Sequence, residues 1–143
     1  MAVNCFYDLP INNKRKKMIF THRTALNCKE IEARIEEDTK VFGLMMKKHF
    51  PFSKNLPNNG FEIKEHASVF ELCKPSTAAE LLNTQPELNV LMPCRISVFE
   101  KDGVSYVSTP DLNVQLEILH CEAELKKEII DLYEKIIAMI KGW

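Results

Sequence analysis

Residues 73–108 read CKPSTAAELLNTQPELNVLMPCRISVFEKDGVSYVS. The clearest element in this stretch is a hairpin, in which two short alternating strands flank Asp102-Gly103. A two-residue turn of type I′ needs positive φ at both positions, which Asp tolerates and Gly adopts freely. With that turn, Phe99 is expected to face Tyr106 across the ladder. The stretch therefore predicts antiparallel strand pairing.

A short helix precedes the hairpin. Its pattern opens at Pro75-Ser76-Thr77 and is ended by Pro86, and either Ser76 or Thr77 is expected to cap it. Residues 67–73 alternate as a strand immediately before the helix. If this strand and the one that starts at Cys94 are antiparallel neighbours, Cys73 and Cys94 lie near each other.

The first half of the chain supplies two more strands and one helix. Residues 18–24 alternate well enough for a strand. Asn27, with Glu30 three residues later, forms a capping-box pattern that begins a helix of about three turns. A strand over 41–49 is expected next. Residues 50–60 contain two prolines and three asparagines, which predicts a loop.

The last part of the chain predicts a long helix. Leu125, Ile129, Leu132 and Ile136 recur at helical spacing, and further apolar residues widen this stripe. A stripe that wide is expected to cover the sheet and to contact a second subunit, and a bend is expected near His120-Cys121.

The order of these elements, strand-helix-four strands-helix, predicts an α+β fold in which helices cover an antiparallel sheet. Residues 1–17 are interpreted as an N-terminal arm and 18–143 as a single α+β domain.

Composition excludes several classes of protein. The 143 residues carry 19 basic and 20 acidic side chains, so nothing draws the chain toward nucleic acid or anionic membranes. No apolar run is long enough to span a bilayer, and the N-terminus lacks a signal-peptide pattern. Five widely spaced cysteines favour free thiols in a reducing cytoplasm. We therefore expect a cytoplasmic protein that binds neither nucleic acid nor membrane.

Two cysteines are the strongest candidates for chemistry. Cys73 precedes Lys74 and a helix N-terminus, and both the charge and the helix dipole stabilise a thiolate. A redox dithiol, a persulfide carrier and a soft-metal site all fit this pattern. Simple burial fits as well, because free cysteine is among the most buried residue types and Cys94 shares a strand face with Ile96 and Val98. The sequence leaves these alternatives open.

No motif indicates a metal or a cofactor. The histidines, His22, His49, His66 and His120, show no zinc-site spacing, and there is no Walker loop. We therefore expect neither a metal site nor a cofactor.

Four segments together resemble the bacterial and archaeal domain-of-unknown-function family 302. They are Phe70-Glu71-Leu72-Cys73-Lys74-Pro75, Ala78-Ala79, Gln85-Pro86-Glu87-Leu88 and the stretch from Leu91 through Glu100. Family members commonly have Cys-Asn-Pro where this chain has Lys74 between Cys73 and Pro75. The resemblance implies a TATA-binding-protein-like α+β fold and small cytoplasmic proteins that dimerise. It implies no particular activity.

These observations predict a homodimeric ligand- or partner-binding module that dimerises through the C-terminal helix or the sheet. Its site is expected near Cys73 and Cys94, and a small-molecule ligand is compatible with it. The candidate ligand-binding residues are Lys74, Ser76, Thr77 and Arg95. The alternative is a thiol-based redox or sulfur-transfer protein, with Cys73 as the reactive thiolate and Cys94 as the resolving thiol. A third interpretation, a purely structural partner of another protein through the last helix, also stays open, as does whether the protein is an enzyme.

Overall fold

The computed structural model describes residues 17–143. Most of the arm predicted for residues 1–17 therefore lies outside the described residues. The elements in chain order are β1 (Ile19–Arg23), α1 (Cys28–Val41), β2 (Met45–Phe50), α2 (Phe52–Asn58), β3 (Ala67–Cys73), α3 (Pro75–Thr84), a 3₁₀ segment (Pro86–Leu91), β4 (Cys94–Lys101), β5 (Val104–Pro110), α4 (Leu112–Ile118) and α5 (Ala123–Lys141).

The five strands form one antiparallel sheet in the order β1-β5-β4-β3-β2. This confirms the predicted α+β fold, with its order of strand, helix, four strands and helix. The TATA-binding-protein-like character that the resemblance adds stays a prediction.

One face of the sheet is buried beneath the helices. On β3, β4 and β5, every second side chain points into this core, as strand alternation requires. Helices α1 and α5 contribute the opposing side chains, among them Ile31, Ile35, Ile129 and Ile136, none of which is more than 1% exposed. Burying each such side chain contributes about 1.5–3 kcal/mol, so this layer supplies most of the driving force for folding.

Two local signals in the sequence form as predicted. The side chain of Asn27 accepts a hydrogen bond from the Glu30 amide, and the Glu30 carboxylate accepts one from the Asn27 amide, completing the capping box of α1. The hairpin turns at Asp102 and Gly103, whose φ values are 53° and 74°.

The predicted loop over 50–60 is wrong, because residues 52–58 form α2. A tertiary contact accompanies this helix. The Ser53 hydroxyl accepts a hydrogen bond from the Ala67 amide of β3 at 2.7 Å. The predicted strand start at residue 41 is also wrong. Val41 ends α1, and Gly43, with a φ of 72°, turns the chain into β2.

The predicted cap of α3 is wrong as well. Lys74 occupies the N-cap position, and its side chain makes no capping hydrogen bond. Pro75 takes the first helical position, where its missing N–H leaves no donor unsatisfied. Ser76 and Thr77 consequently lie inside the first turn.

The C-terminal region bends where the sequence predicted. Helix α4 ends at Ile118 and α5 begins at Ala123. The Gln85 side chain holds this connection, because it donates to the His120 carbonyl at 3.0 Å and accepts from the Glu122 amide at 2.8 Å. Within residues 17–143, no helix is long and apolar enough to cross a membrane.

Candidate functional site

A cavity of about 150 Å³ lies where the start of β4, the end of β5, α4 and α5 meet. Its walls are mainly apolar. The lining residues are Val90, Leu91, Met92, Pro93, Cys94, Arg95, Thr109, Pro110, Leu112, Gln115, Tyr133 and Ile136. The 3₁₀ segment forms one wall, because its last residue leads directly through Met92 and Pro93 into β4.

Two sulfur atoms lie together in this wall. The Cys94 Sγ atom lies 3.8 Å from the Met92 Sδ atom. Cys94 is only 5% exposed, and its burial, with a smaller contribution from Cys73, raises the pKa of its thiol to about 12. The group is therefore a neutral thiol at physiological pH, as expected for a buried cysteine without a cationic partner.

Two polar side chains in the lining have unused hydrogen-bonding capacity. Within residues 17–143, neither the Gln115 amide nor the Tyr133 hydroxyl makes a side-chain hydrogen bond, and neither group is sealed off from solvent. Burial, and then the nearby Asp111 carboxylate, raise the pKa of Tyr133 to about 12, so its hydroxyl stays protonated. By contrast, the Thr109 hydroxyl already donates to the Arg95 carbonyl at 2.8 Å.

Of the residues predicted to form the site, Cys94 and Arg95 line this cavity, whereas Cys73, Lys74, Ser76 and Thr77 do not. The predicted site residues therefore lie in two places: two of them line the cavity, and the other four lie at the end of β3 and the start of α3. Strand alternation also directs the Arg95 side chain away from the core face to which Cys94 belongs.

The two cysteines lie on paired strands, but their side chains belong to opposite faces of the sheet. Cys94 is paired with Leu72 in the register of β3 and β4, which makes Cys73 its diagonal neighbour. Since successive side chains of a strand point to opposite faces, Cys73 belongs to the face of Met45 rather than to the core. A disulfide needs the two Cβ vectors to converge, so this arrangement weighs against a Cys73–Cys94 dithiol. The redox alternative stays an untested prediction.

Lys74 is engaged with α5. Its ammonium lies 3.7 Å from an Asp131 carboxylate oxygen and 3.8 Å from one of Glu128. Lys135, and to a lesser extent Lys74, lower the pKa of Asp131. Lys74 therefore links the start of α3 to α5, which is a structural role that its position in the sequence did not reveal.

Ser76 and Thr77 differ sharply in exposure. Ser76 is exposed, whereas Thr77 is fully buried and its hydroxyl has no hydrogen-bond partner among residues 17–143.

A second polar cluster joins α1 to the sheet. The Glu32 Oε1 atom accepts a hydrogen bond from the Ser68 hydroxyl at 2.5 Å and lies 2.6 Å from the His66 Nε2 atom. Serine, histidine and carboxylate recur in hydrolases, but there the histidine contacts the serine. Here both groups contact the carboxylate instead, so the cluster is a link between elements and not a nucleophile–base pair.

A wider groove of about 360 Å³ shares Tyr133 with the cavity beside Cys94. Its lining includes Phe20 of β1, Asp111 and Glu134. Within the described part of the chain, no three His, Cys, Asp or Glu side chains are placed to hold a metal ion.

Sequence reasoning missed Gln115 and Met92, and it did not place Tyr133 in this site. Tyr133 carried a weak signal, because it is the one aromatic residue within the otherwise aliphatic stripe of α5. Gln115 and Met92 carried none, since their roles arise only when α4 and the 3₁₀ segment meet at the end of the sheet.

Comparison with known proteins agrees with this architecture. The chain matches the family described as "Domain of unknown function DUF302" over residues 20–142, and it belongs to that family. A crystal structure of an uncharacterized conserved DUF302 protein from Bacillus stearothermophilus superposes with a TM-score of 0.79 at 21% sequence identity, covering 88% of this chain and 98% of that one. At this identity the likeness concerns the fold alone.

An uncharacterized protein from Aquifex aeolicus (strain VF5) is 42% identical over 53 residues, which are 34% of this chain and 37% of that protein. The match thus spans little more than a third of that relative's length.

Proposed function

We propose that the chain is a binding module that takes a small, largely apolar molecule into the cavity beside Cys94. The observation that carries this proposal is the cavity itself, which measures about 150 Å³ and has mainly apolar walls. An apolar cavity of about this volume holds a ligand the size of benzene. Ligand sites of small molecules share this character of apolar walls with a few polar groups.

Binding accounts for the lining better than catalysis does. The Cys94 thiol contacts the Met92 thioether rather than a base, and its raised pKa keeps it protonated. A nucleophile needs an adjacent base or a lowered pKa, and Cys94 has neither within residues 17–143.

The module is further proposed to form a homodimer through the face of the sheet opposite the core. Of the two predicted dimer surfaces, α5 is the poorer, because most of its apolar side chains pack inside its own chain. Within residues 17–143, no side chain of β3, β4 or β5 on the opposite face is buried. A near-neutral charge and five widely spaced cysteines support a cytoplasmic, single-domain protein that binds no nucleic acid.

The pattern of this open face is self-complementary. The register places Arg95 toward one end of the face and the Phe99–Tyr106 pair toward the other, with Ser97 and Ser108 between them. The Phe99 and Tyr106 rings stack with centroids 5.6 Å apart. If two copies pack with antiparallel strands about a two-fold axis, Arg95 of each copy covers the aromatic pair of the other, a favourable cation–π arrangement.

The size of the face predicts a weak dimer. Five strands of five to eight residues form a surface of about 20 by 22 Å at standard strand spacing and rise. Two such surfaces bury about 900 Å² in total, just below the 1,000–1,200 Å² of small specific interfaces. We therefore expect a dimer that dissociates at micromolar concentrations.

The cavity is tested by filling it. Ile136→Trp places an indole in the cavity lining, and Ile129→Trp is the matched control, an equally buried position on the same helix outside the lining. A one-ring fragment set, screened by ligand-observed NMR, is expected to yield binders to the wild type and to Ile129→Trp but not to Ile136→Trp.

The stability of the same two variants provides a second test of the cavity. Ile129→Trp should lose about 3 kcal/mol of stability through overpacking, and Ile136→Trp clearly less, because the cavity accepts the added ring. Fragments that bind all three proteins equally would place the binding site elsewhere and end the proposal.

The dimer is tested by sedimentation velocity across a concentration series. Ser97→Glu sets two carboxylates near the proposed two-fold axis, and Ser76→Glu is the matched control on exposed α3. Only Ser97→Glu should abolish the concentration-dependent dimer. If Ser97→Glu dimerises as the wild type does, the open face is not the interface.

A further inference from the structure

The cavity contains two polar side chains whose hydrogen bonds are unused. Gln115 brings one acceptor and two donors, and Tyr133 brings a hydroxyl that both donates and accepts. Neither side chain is hydrogen-bonded to any other group in residues 17–143, although both line a cavity that is otherwise mainly apolar. Polar groups in such surroundings favour a ligand that satisfies them.

The charges around the cavity select against an anion. Arg95 is the one basic residue in the lining, and strand alternation directs its guanidinium to the other face of the sheet. The Asp111 carboxylate lines the neighbouring groove together with Tyr133 and contributes, after burial, to raising the pKa of Tyr133. A carboxylate or phosphate ligand would therefore meet repulsion and find no cation to pair with.

The volume of the cavity and the chemistry of its walls narrow the class of ligand further. About 150 Å³ accommodates one ring with a single substituent. The Cys94 and Met92 sulfur atoms lie side by side in the wall, and thioethers make favourable contacts with the edges of aromatic rings.

We infer that the cavity binds an uncharged, single-ring aromatic molecule whose substituent both donates and accepts hydrogen bonds, such as a primary amide, held by Gln115 and Tyr133. This inference rests on the proposed function of the same cavity and names the class of its ligand.

Three probes of one shape test the inference on the full chain. Benzene, benzamide and benzoate share the ring and differ only in the substituent, and each is titrated by NMR. Benzamide is expected to bind about tenfold more tightly than benzene, a gain of about 1.4 kcal/mol that one well-formed hydrogen bond supplies. Benzoate is expected to bind more weakly than benzamide by at least the same factor.

Variants identify the groups responsible. Tyr133→Phe and Gln115→Leu should each remove most of the tenfold preference for benzamide while leaving the affinity for benzene within about twofold, the change expected when one hydrogen bond is lost. Asn83→Leu, which removes an amide from the exposed surface of α3, is the matched control for Gln115→Leu and should change neither affinity. Gln115→Leu serves as the independent readout should Tyr133→Phe disturb folding.

The possible results distinguish an error in the ligand class from an error in the proposed binding function. If benzene and benzamide bind equally, or benzoate binds as tightly as benzamide, the ligand class is wrong while the cavity remains a binding site. If none of the three binds the folded wild type at millimolar concentration, the proposed function fails and the inference fails with it.

Discussion

Replacing Glu32 with alanine should destabilise the protein far more than its position on a helix surface suggests. The carboxylate accepts the hydrogen bond of the Ser68 hydroxyl and contacts His66, while Ser68 is only 1% exposed. Removing the carboxylate leaves that hydroxyl buried without a partner, which costs about 1–3 kcal/mol, and also removes the contact with His66, worth about 1 kcal/mol. We expect a total loss of about 3 kcal/mol.

A double-mutant cycle separates these two contributions. Ser68→Ala alone should cost about 1 kcal/mol, because Glu32 keeps His66 and partial contact with water. The double variant should cost about 2 kcal/mol, less than Glu32→Ala alone, since no unsatisfied hydroxyl remains. The expected coupling between the two residues is therefore about 2 kcal/mol.

Urea denaturation measures these values through Trp143, the single tryptophan of the chain, which is 3% exposed. Glu36→Ala is the matched control, because it removes a glutamate one turn further along α1. The Glu36 side chain is 64% exposed, and its ion pair with Lys40 is a long one, with 3.9 Å between the carboxylate and the ammonium. This substitution should change stability by less than about 0.5 kcal/mol. A loss below about 0.5 kcal/mol for Glu32→Ala, or an additive cycle, would refute the reasoning.

Three further predictions concern single positions. Trp143→Phe removes the hydrogen bond from Nε1 to the Asp38 carboxylate at 2.7 Å and should cost about 2 kcal/mol by urea denaturation followed by circular dichroism; no loss would contradict the role of that bond. Gly103→Ala should cost about 1–2 kcal/mol from its φ of 74° alone, because no atom lies within 4 Å of the added Cβ, and a loss above about 3 kcal/mol would indicate a clash. Since the folded pKa of Cys94 is raised to about 12, its contribution to stability is complete below the unfolded thiol pKa and is lost as pH rises from there toward 12. Between those values the wild type should lose up to about 1.4 kcal/mol per pH unit more than Cys94→Ala does, and parallel pH profiles would contradict the assignment.

The parts of the fold that the sequence predicted are those that local chemistry decides. Asn27 and Glu30 satisfy each other's backbone amides wherever they start a helix, so the capping box needs no tertiary support. Asp102 and Gly103 likewise determine the turn, and with it the pairing of Phe99 with Tyr106.

The parts of the fold that the sequence did not predict depend on contacts between residues that are far apart in the chain. The prolines around Ser53 indicated a loop, yet α2 forms there and its Ser53 hydroxyl is hydrogen-bonded to the Ala67 backbone. The C-terminal residue also depends on partners far away in the sequence. Trp143 is held in the core by hydrogen bonds between its carbonyl and the amides of Ala25 and Leu26, a pairing across more than a hundred residues.

In the candidate site as well, the sequence predicted what local patterns encode and missed what tertiary packing brings together. Cys94 was singled out because the sequence pattern places it at the start of a strand, and it does line the cavity. Cys73 was grouped with it because the end of β3 and the start of β4 were expected to be neighbours in the sheet, but side-chain alternation puts the two cysteines on opposite faces. Gln115 and Tyr133 join the cavity only through the packing of α4 and α5, which no local pattern encodes.

The most direct test of the central claim follows the methyl groups of the cavity during a titration with benzamide. In ¹H–¹³C spectra of the full chain, the methyls of Leu112 and Ile136, which line the cavity, should shift and saturate together. Those of Ile31 and Ile35 in α1, which are equally buried but outside the lining, should not move. Saturable shifts confined to the first pair are the predicted result. Shifts confined to other residues, or no saturable shift at millimolar ligand, would contradict the account.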